Sequence, residues 1–147
     1  MKQYFIKLVV SAFLLNIMWG NLHDGLYTTI ISWMKNMGYF LCSLGDVALV
    51  VIIYVVVAQI ANDIKWGQKP SANHLLWMLL IGTIVALIAE KTALLLNWWQ
   101  YNEQMPVLSL LGVGVSPWLQ ITLTPVISVL ISSRLKQPTL VNNDQRL

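Results

Sequence analysis

The sequence has little of what identifies a soluble enzyme. Only 10% of its 147 residues are charged and 57% are hydrophobic, whereas soluble globular domains carry about 25% charged residues. Its single cysteine, Cys42, excludes an internal disulfide and any Cys-x-x-Cys redox pair. The chain also has no internal repeat and no low-complexity segment. These absences exclude a soluble globular domain and thiol redox chemistry, and they indicate an integral membrane protein.

Long hydrophobic segments fill most of the chain. A helix needs about 20 apolar residues to cross a bilayer, so this length has room for four crossings and short connections but for no soluble domain. The predicted fold class is therefore all-α: a polytopic membrane protein that forms a four-transmembrane-helix bundle, with residues 1–147 as a single transmembrane domain. The predicted spans are residues 4–27, 37–61, 74–97 and 107–131, and residues 132–147 form a tail.

Basic residues lie mostly on one side of this predicted bundle. With four spans, the N-terminus, the 63–70 loop and the C-terminal tail share a side that carries seven Lys or Arg residues against two acids. The other side carries two basic residues against four acids. By the positive-inside rule, both termini are cytoplasmic, as in a multi-pass protein of the cell (inner) membrane. The net charge of +3 therefore reflects topology, and we predict no nucleic-acid partner.

Two carboxyl groups fall inside the predicted spans. Asp46 lies in the second span, and Glu90 lies in the third within the otherwise apolar stretch "LIAEKTALLLNWWQ". At about 1.5 Å of rise per residue, both lie at a similar depth below the outer surface. An ionisable group in the hydrocarbon core costs roughly 3 kcal/mol, so it tends to face the bundle interior and to serve a function. Asp46 and Glu90 are therefore the candidate catalytic residues.

Small and polar residues follow one face of three of the predicted helices. Residues three, four or seven positions apart share a face of a helix, so such lines meet when the helices pack. The same pattern also permits close packing and hydrogen bonds between membrane helices without any site, so a purely structural role stays open. The lines consist of Asn16, Gly20, His23 and Tyr27 on the first span, Thr83, Glu90 and Asn97 on the third, and Gly112, Ser116, Gln120 and Thr124 on the fourth.

These lines predict a polar pocket that opens to the extracytoplasmic side. We expect Gln120 and Asn16 to form its floor, Asp46 and Glu90 to form its walls, and Asp24 to lie at its rim. One carboxyl group would act as a general acid while the other stays ionised, which suits proton-initiated chemistry on a lipid. The residues predicted to bind the substrate are Asn16, Trp19, His23, Tyr27, Trp99, Tyr101, Glu103, Trp118 and Gln120.

Lys91 and the two histidines bear on the chemistry of this pocket. Lys91 points about 100° away from Glu90 around the helix, so it either pairs with another group or reaches to the interface, and both alternatives stay open. His23 and His74 fall on opposite sides of the membrane and cannot share a metal or a haem. We therefore predict no metal site and no cofactor. The tryptophans expected in the interface belts are Trp66, Trp98 and Trp99.

Four short motifs occur in order along the chain. They are Asn16-x-x-Trp19-x-x-x-His23-x-x-Leu26-Tyr27, Gly45-Asp46, Trp99-x-Tyr101-x-x-x-Met105-Pro106 and Gly112-x-Gly114-x-Ser116-Pro117-x-x-Gln120. Through these motifs the chain resembles a family of small prokaryotic four-helix membrane proteins. Members of that family have W-E-x-x-H early, G-D in the second span and W-x-Y-x-x-x-M-P before the last span. The similarity covers most of the chain, and it implies the fold rather than an activity.

A more distant resemblance is to integral-membrane terpene and lycopene cyclases. These enzymes combine a Trp-Glu motif with further intramembrane acids to protonate an isoprenoid, so the resemblance implies a lipid cyclase or isomerase. In this chain Gly20 follows Trp19, where that motif has glutamate. Asp46 or Glu90 would therefore have to supply the acid.

The leading hypothesis is a small integral-membrane enzyme, similar to a cyclase or an isomerase, that acts on an isoprenoid or other membrane lipid by acid–base chemistry. One alternative is a non-catalytic subunit or assembly factor of a membrane complex, in which the acids hold helices or subunits together. Another is a small-solute or proton transporter, which would need to oligomerise because four spans are few. The predicted partners are a membrane lipid or isoprenoid and either further copies of the chain or a larger membrane complex.

Overall fold

The structure, a computed structural model, describes residues 1–29 and 32–135, and it is mostly helical. Each of the four long helices contains a stretch that is long and apolar enough to cross a membrane. The prediction of a mostly helical chain with four such helices is therefore confirmed. The predicted tail lies outside the described residues from residue 136 onward. The helices are α1 (Lys2–His23), α2 (Ser32–Ala61), α3 (Ala72–Leu95) and α4 (Val115–Arg134).

Helix α4 lies at the centre of the packing. It contacts α1, α2 and α3, and half of its most apolar stretch (50%) is buried, against 28% or less in the other three helices. Its approach to α3 is close at Gly82, where an added Cβ would lie 3.3 Å from the Ile121 carbonyl oxygen. Pro125 has no N–H to donate to that carbonyl, so the α4 backbone is open to α3 at this point. The polar residues of α4 are thereby brought against three neighbouring helices.

The connections between the helices gather at two ends of the molecule. At one end, Lys7 donates to the Leu135 carbonyl (2.9 Å) and Gln68 approaches the Met1 sulfur (3.0 Å). We call this the terminal end, because residues 1, 62–71 and 135 meet there. At the other end, Asn102 donates through its backbone N–H to the Leu26 carbonyl (3.1 Å). We call this the hairpin end, because it holds residues 24–29 and 96–114.

Two short antiparallel ribbons form the hairpin end. Strand β1 (Tyr27–Thr29) pairs with β2 (Trp99–Tyr101), so that Tyr27 lies opposite Tyr101. Strand β3 (Val107–Leu108) pairs with β4 (Val113–Gly114). The first ribbon therefore joins the end of α1 to the segment that follows α3.

The fourth helix begins at Val115, and the predicted start at residue 107 is wrong. Residues 107–114 form the β3–β4 ribbon, whose turn places Gly112 at φ +62°, a left-handed conformation that glycine adopts at little cost. The Val115 N–H donates to the Pro106 carbonyl at 2.8 Å and closes this ribbon. The apolar composition of the segment led to the helix prediction, although its glycines permit a tight turn.

The third helix ends at Leu95, so Asn97 does not continue the predicted line with Thr83 and Glu90. Asn97 has φ +52°, and it follows the helix as a left-handed cap. The Trp98 N–H then donates to the Ala93 carbonyl at 2.9 Å, which completes the cap. Asparagine tolerates this conformation better than most residues, which explains the stop.

Trp66 lies inside the protein and not in an interface belt as predicted. It is 2% exposed, its ring stacks on Tyr54 with centroids 4.8 Å apart, and its Nε1 donates to the Tyr54 carbonyl at 3.3 Å. The neighbouring Gly67 lies against the same cluster, where an added Cβ would be 2.3 Å from the Tyr4 hydroxyl and 2.6 Å from Tyr54 Cε2. The 62–71 loop is therefore fastened to the helices through an aromatic cluster that leaves no room beside Gly67.

Replacing Gly67 with alanine is expected to destabilise the protein by about 1 to 3 kcal/mol, because overpacking displaces fixed rings. Denaturant unfolding of the detergent-solubilised protein measures this change. The matched control is Gly25→Ala, since an added Cβ there meets nothing within 4 Å. A Gly67→Ala variant as stable as Gly25→Ala would contradict the packing described for the loop.

Candidate functional site

The Asp46 carboxyl group belongs to a hydrogen-bonded network between α1, α2 and α4. Gln120 Nε2 lies 2.8 Å from Asp46 Oδ2 and 2.9 Å from Asn16 Oδ1, so this amide joins both side chains. Thr124 Oγ1 donates to the same Asn16 oxygen at 3.3 Å. Asn16, Gln120 and Thr124 are all buried. The half-buried Asp46 carboxyl group on α2 therefore contacts the Gln120 amide of α4, and Asn16 of α1 fixes the orientation of that amide.

The Glu90 carboxyl group is held from the hairpin end. Tyr101 donates its hydroxyl to Glu90 Oε2 at 2.5 Å, and Trp99 donates Nε1 to the same oxygen at 3.4 Å. Both donors come from β2, whose side chains alternate so that residues 99 and 101 share a face. Glu90 itself is 3% exposed. The β1–β2 ribbon thus closes over Glu90 and supplies its hydrogen-bond donors.

The two carboxyl groups lie within electrostatic range of each other. Tyr27 lies near both: burial raises the pKa of its phenol, and the charges of Glu90, Tyr101 and Asp46 raise it further. Its ring also packs edge-on against Trp99, with centroids 6.0 Å apart. Tyr27 is therefore a neutral phenol at neutral pH, placed beside two acids.

A third cluster of polar side chains joins the end of α1 to the start of α4. His23 Nδ1 lies 2.8 Å from Ser116 Oγ, and Trp19 Nε1 donates to the same oxygen at 3.2 Å. These residues line an open cavity of about 310 Å³ together with Leu22 and Leu26. The His23 ring packs edge-on against Tyr27 at 5.2 Å, so this cavity adjoins the residues around the two acids.

Most of the predicted site residues therefore lie in three connected groups. The first group consists of Asp46, Gln120 and Asn16, and the second of Glu90, Trp99, Tyr101 and Tyr27. The third group consists of Trp19 and His23, and its His23 ring packs against Tyr27 of the second.

Three further residues stand apart from these groups. Within residues 1–29 and 32–135, no hydrogen bond joins Glu103 or Trp118 to these groups: Glu103 is exposed, and the buried Trp118 Nε1 has no partner. Lys91 is exposed, with Nζ near Gly112, where an added Cβ would lie 3.2 Å from it. Lys91 thus reaches towards the β3–β4 turn, and the hydrogen bonds to Glu90 come from Tyr101 and Trp99.

Ser116 belongs to this candidate site, and the predicted substrate-binding set omitted it. Its position on the line with Gln120 and Thr124 was the available signal, since residues four apart share a helix face. Its contact with His23 could not be read from that line, because it joins residues 93 positions apart in the sequence. Thr124 is on the same line and donates to Asn16.

The arrangement of the two acids and their donors is suited to proton transfer. In the part of the chain that the structure describes, no three His, Cys, Asp or Glu residues are grouped so that they could hold a metal ion. Two neighbouring carboxyl groups with fixed phenol, indole and amide partners can instead pass a proton between themselves and a bound molecule. No protein-family model, no curated protein and no solved structure matches this chain.

Proposed function

We propose that the chain is an integral protein of the cell (inner) membrane with four spans and both termini cytoplasmic. Three observations support this. Each helix has the length and composition of a membrane span, and large apolar side chains such as Leu14, Ile52 and Ile88 are more than half exposed on the helix surfaces. The basic residues concentrate at the terminal end, as the positive-inside rule requires for a cytoplasmic side.

Cysteine labelling tests this orientation, because the chain has only one native cysteine to remove. In a Cys42→Ser background, Leu110→Cys at the hairpin end is expected to react with a membrane-impermeant maleimide in intact cells. Lys65→Cys at the terminal end is expected to react only after permeabilisation. The reverse pattern would contradict the orientation, and labelling of both positions in intact cells would contradict a single fixed topology.

Within this setting the protein acts as a small membrane enzyme that converts an isoprenoid or other lipid by acid–base chemistry, as a cyclase or isomerase does. The observation that carries this proposal is that two carboxyl groups, the half-buried Asp46 and the buried Glu90, lie inside the helical bundle. Each acid has fixed donors, which are Gln120 for Asp46 and Tyr101 and Trp99 for Glu90. One acid protonates the lipid, and the other accepts a proton when the product forms.

Lipid extracts test the enzymatic proposal directly. Cells that lack the chain are compared with cells that express the wild type, Asp46→Asn, Glu90→Gln or Asp24→Asn, and their lipids are resolved by mass spectrometry. We expect a product in the wild type and in the Asp24→Asn control, whose carboxyl group is exposed, and its loss in the other two variants. Unchanged lipids in all strains at equal expression would contradict the proposal.

A second candidate function is that of a non-catalytic subunit of a membrane complex. The observation that favours it is that the bonds of Asp46 and Asn16 to Gln120 run between helices, as structural hydrogen bonds in membrane proteins do. Extraction in a mild detergent separates the two candidates. Stoichiometric co-purification with a larger partner, together with unchanged lipids, would favour the subunit.

A further inference from the structure

The cavity between the end of α1 and the start of α4 is a second feature, separate from the two acids. It is lined by Trp19, Leu22, His23, Leu26 and Ser116, and we call it the head-group groove. Its volume of about 310 Å³ lies at the lower limit of ligand pockets, which hold roughly 300 to 1,000 Å³. The groove therefore has room for a small polar group and the first part of a chain.

The polar side of the groove is a chain of hydrogen bonds that ends at one imidazole nitrogen. Trp19 Nε1 only donates, so Ser116 Oγ accepts from it at 3.2 Å. Ser116 Oγ also lies 2.8 Å from His23 Nδ1, and we assign the hydroxyl proton to this contact because Ser116 has no other acceptor among the described residues. With this assignment the proton of a neutral histidine is on Nε2. Among the described residues no hydrogen bond reaches that nitrogen, so it is available to a ligand.

The apolar side of the groove opens onto the outer surface of α1. Leu22 and Leu26 line it, and Leu22 is 79% exposed, so the groove is continuous with the apolar surface of α1. A ligand with its head at His23 would therefore extend a hydrocarbon chain along that surface. This combination of one polar end and one apolar exit fits an amphiphile.

The acidic surroundings of the groove favour a lipid head group without a negative charge. Asp24 follows His23 directly, is exposed, and acts electrostatically on the imidazole. Like charges repel, so this acid disfavours a phosphate or carboxylate at His23. The donor that this chain of hydrogen bonds leaves for a ligand is the neutral imidazole N–H of His23. It matches an uncharged acceptor such as a hydroxyl or a carbonyl oxygen.

We propose that the head-group groove binds an uncharged, hydroxyl- or carbonyl-bearing lipid, with the His23 imidazole hydrogen-bonded to its head group and Ser116 orienting that imidazole. The inference rests on the proposed membrane location, but it does not depend on acid–base chemistry at Asp46 and Glu90. Binding is therefore measurable whether or not the lipid is converted.

Two photoreactive probes with identical diazirine-bearing chains test the proposal: a diacylglycerol and the corresponding phosphatidic acid. The full-length protein is reconstituted in phosphatidylcholine nanodiscs and irradiated, and the adducts are mapped by peptide mass spectrometry. We expect the diacylglycerol probe to label the peptides around Leu22 and Ser116, with competition by unlabelled diacylglycerol. The phosphatidic acid probe is expected to label these peptides several-fold less.

Variants then connect the labelling to the groove. His23→Ala removes the donor to the head group and Ser116→Ala removes the hydroxyl that orients the imidazole, so both are expected to lower diacylglycerol labelling roughly three- to tenfold. Ser116→Thr, which restores the hydroxyl, is expected to keep most of it. The matched control Ser133→Ala removes a serine whose hydroxyl, among the described residues, donates to the Leu130 carbonyl of its own helix. Size-exclusion profiles verify that each variant is folded.

Three outcomes would overturn the inference: equal labelling by both probes, stronger labelling by phosphatidic acid, or adducts in the wild type that lie away from the groove. Unaltered labelling of Ser116→Ala and His23→Ala would do the same. The Glu90→Gln variant separates this inference from the enzymatic proposal. If no strain shows a lipid product but the probe labels wild type and Glu90→Gln alike at the groove, the enzymatic proposal fails and the binding site stands.

Discussion

Lipid conversion by the Glu90→Gln variant is expected to fall roughly 100- to 10,000-fold, which is the usual contribution of a general acid or base. Glutamine keeps the shape of the side chain, and its oxygen can still accept from Tyr101 and Trp99, which both donate to one Glu90 oxygen. It cannot take up or release a proton at neutral pH. The variant therefore removes proton transfer while it leaves the hydrogen-bonded setting in place.

The rate is measured with purified protein in vesicles, as product formed per protein molecule. Asp46→Asn is expected to lower it over a similar range, because asparagine can still accept from Gln120. Tyr101→Phe keeps both acids and loses one donor, so a smaller decrease of about tenfold or less is expected. If a folded Glu90→Gln protein kept more than about a tenth of the wild-type rate, Glu90 would not be part of the acid–base pair.

Replacing Asn16 with alanine is expected to cost about 1 to 3 kcal/mol of stability, because it leaves buried donors without an acceptor. Asn16 is fully buried, and its side-chain oxygen accepts from both Gln120 and Thr124 of α4. In membrane proteins such bonds between helices average about 0.6 kcal/mol each, so the loss of two of them lies within this range. Denaturant unfolding in detergent measures the change.

The chain contains a matched control for this variant. Asn21 lies on the same helix and, like Asn16, donates to the carbonyl four residues earlier, but it is exposed. Asn21→Ala is expected to change stability by no more than about 0.5 kcal/mol. A double-mutant cycle of Asn16→Ala with Gln120→Ala is expected to give a coupling of about 0.5 kcal/mol or more. Equal effects of Asn16→Ala and Asn21→Ala would contradict the network.

The sequence was sufficient to predict the number and order of the hydrophobic helices and one contact that follows from helical periodicity. Hydropathy is a local property, so the number and order of the hydrophobic helices could be predicted, and α2 ends at Ala61 as expected. The contact of Asn16 with Gln120 could also be anticipated, because lines of polar residues on two packed helices tend to meet.

The remaining features depend on long-range pairing, which no local pattern encodes. Glu90 receives its donors only because β1 pairs with β2, and this brings Tyr27 opposite Tyr101 across a large sequence separation. Composition alone could not distinguish the β3–β4 ribbon from the start of a helix, since the turn depends on the backbone of Gly112. Trp66 has the amphipathic character of an interface anchor, and only its stacking on Tyr54 places it inside the protein.

Hydrogen transfer from solvent to lipid tests the central claim most directly. Purified wild-type protein and the Asp46→Asn and Glu90→Gln variants are incubated in deuterated water with vesicles of lipids from cells that lack the chain, and the lipids are analysed by mass spectrometry after back-exchange. Proton transfer by Asp46 and Glu90 predicts a lipid that carries deuterium on carbon with the wild type and with neither variant. Folded wild-type protein that transfers no deuterium to any lipid carbon would contradict it.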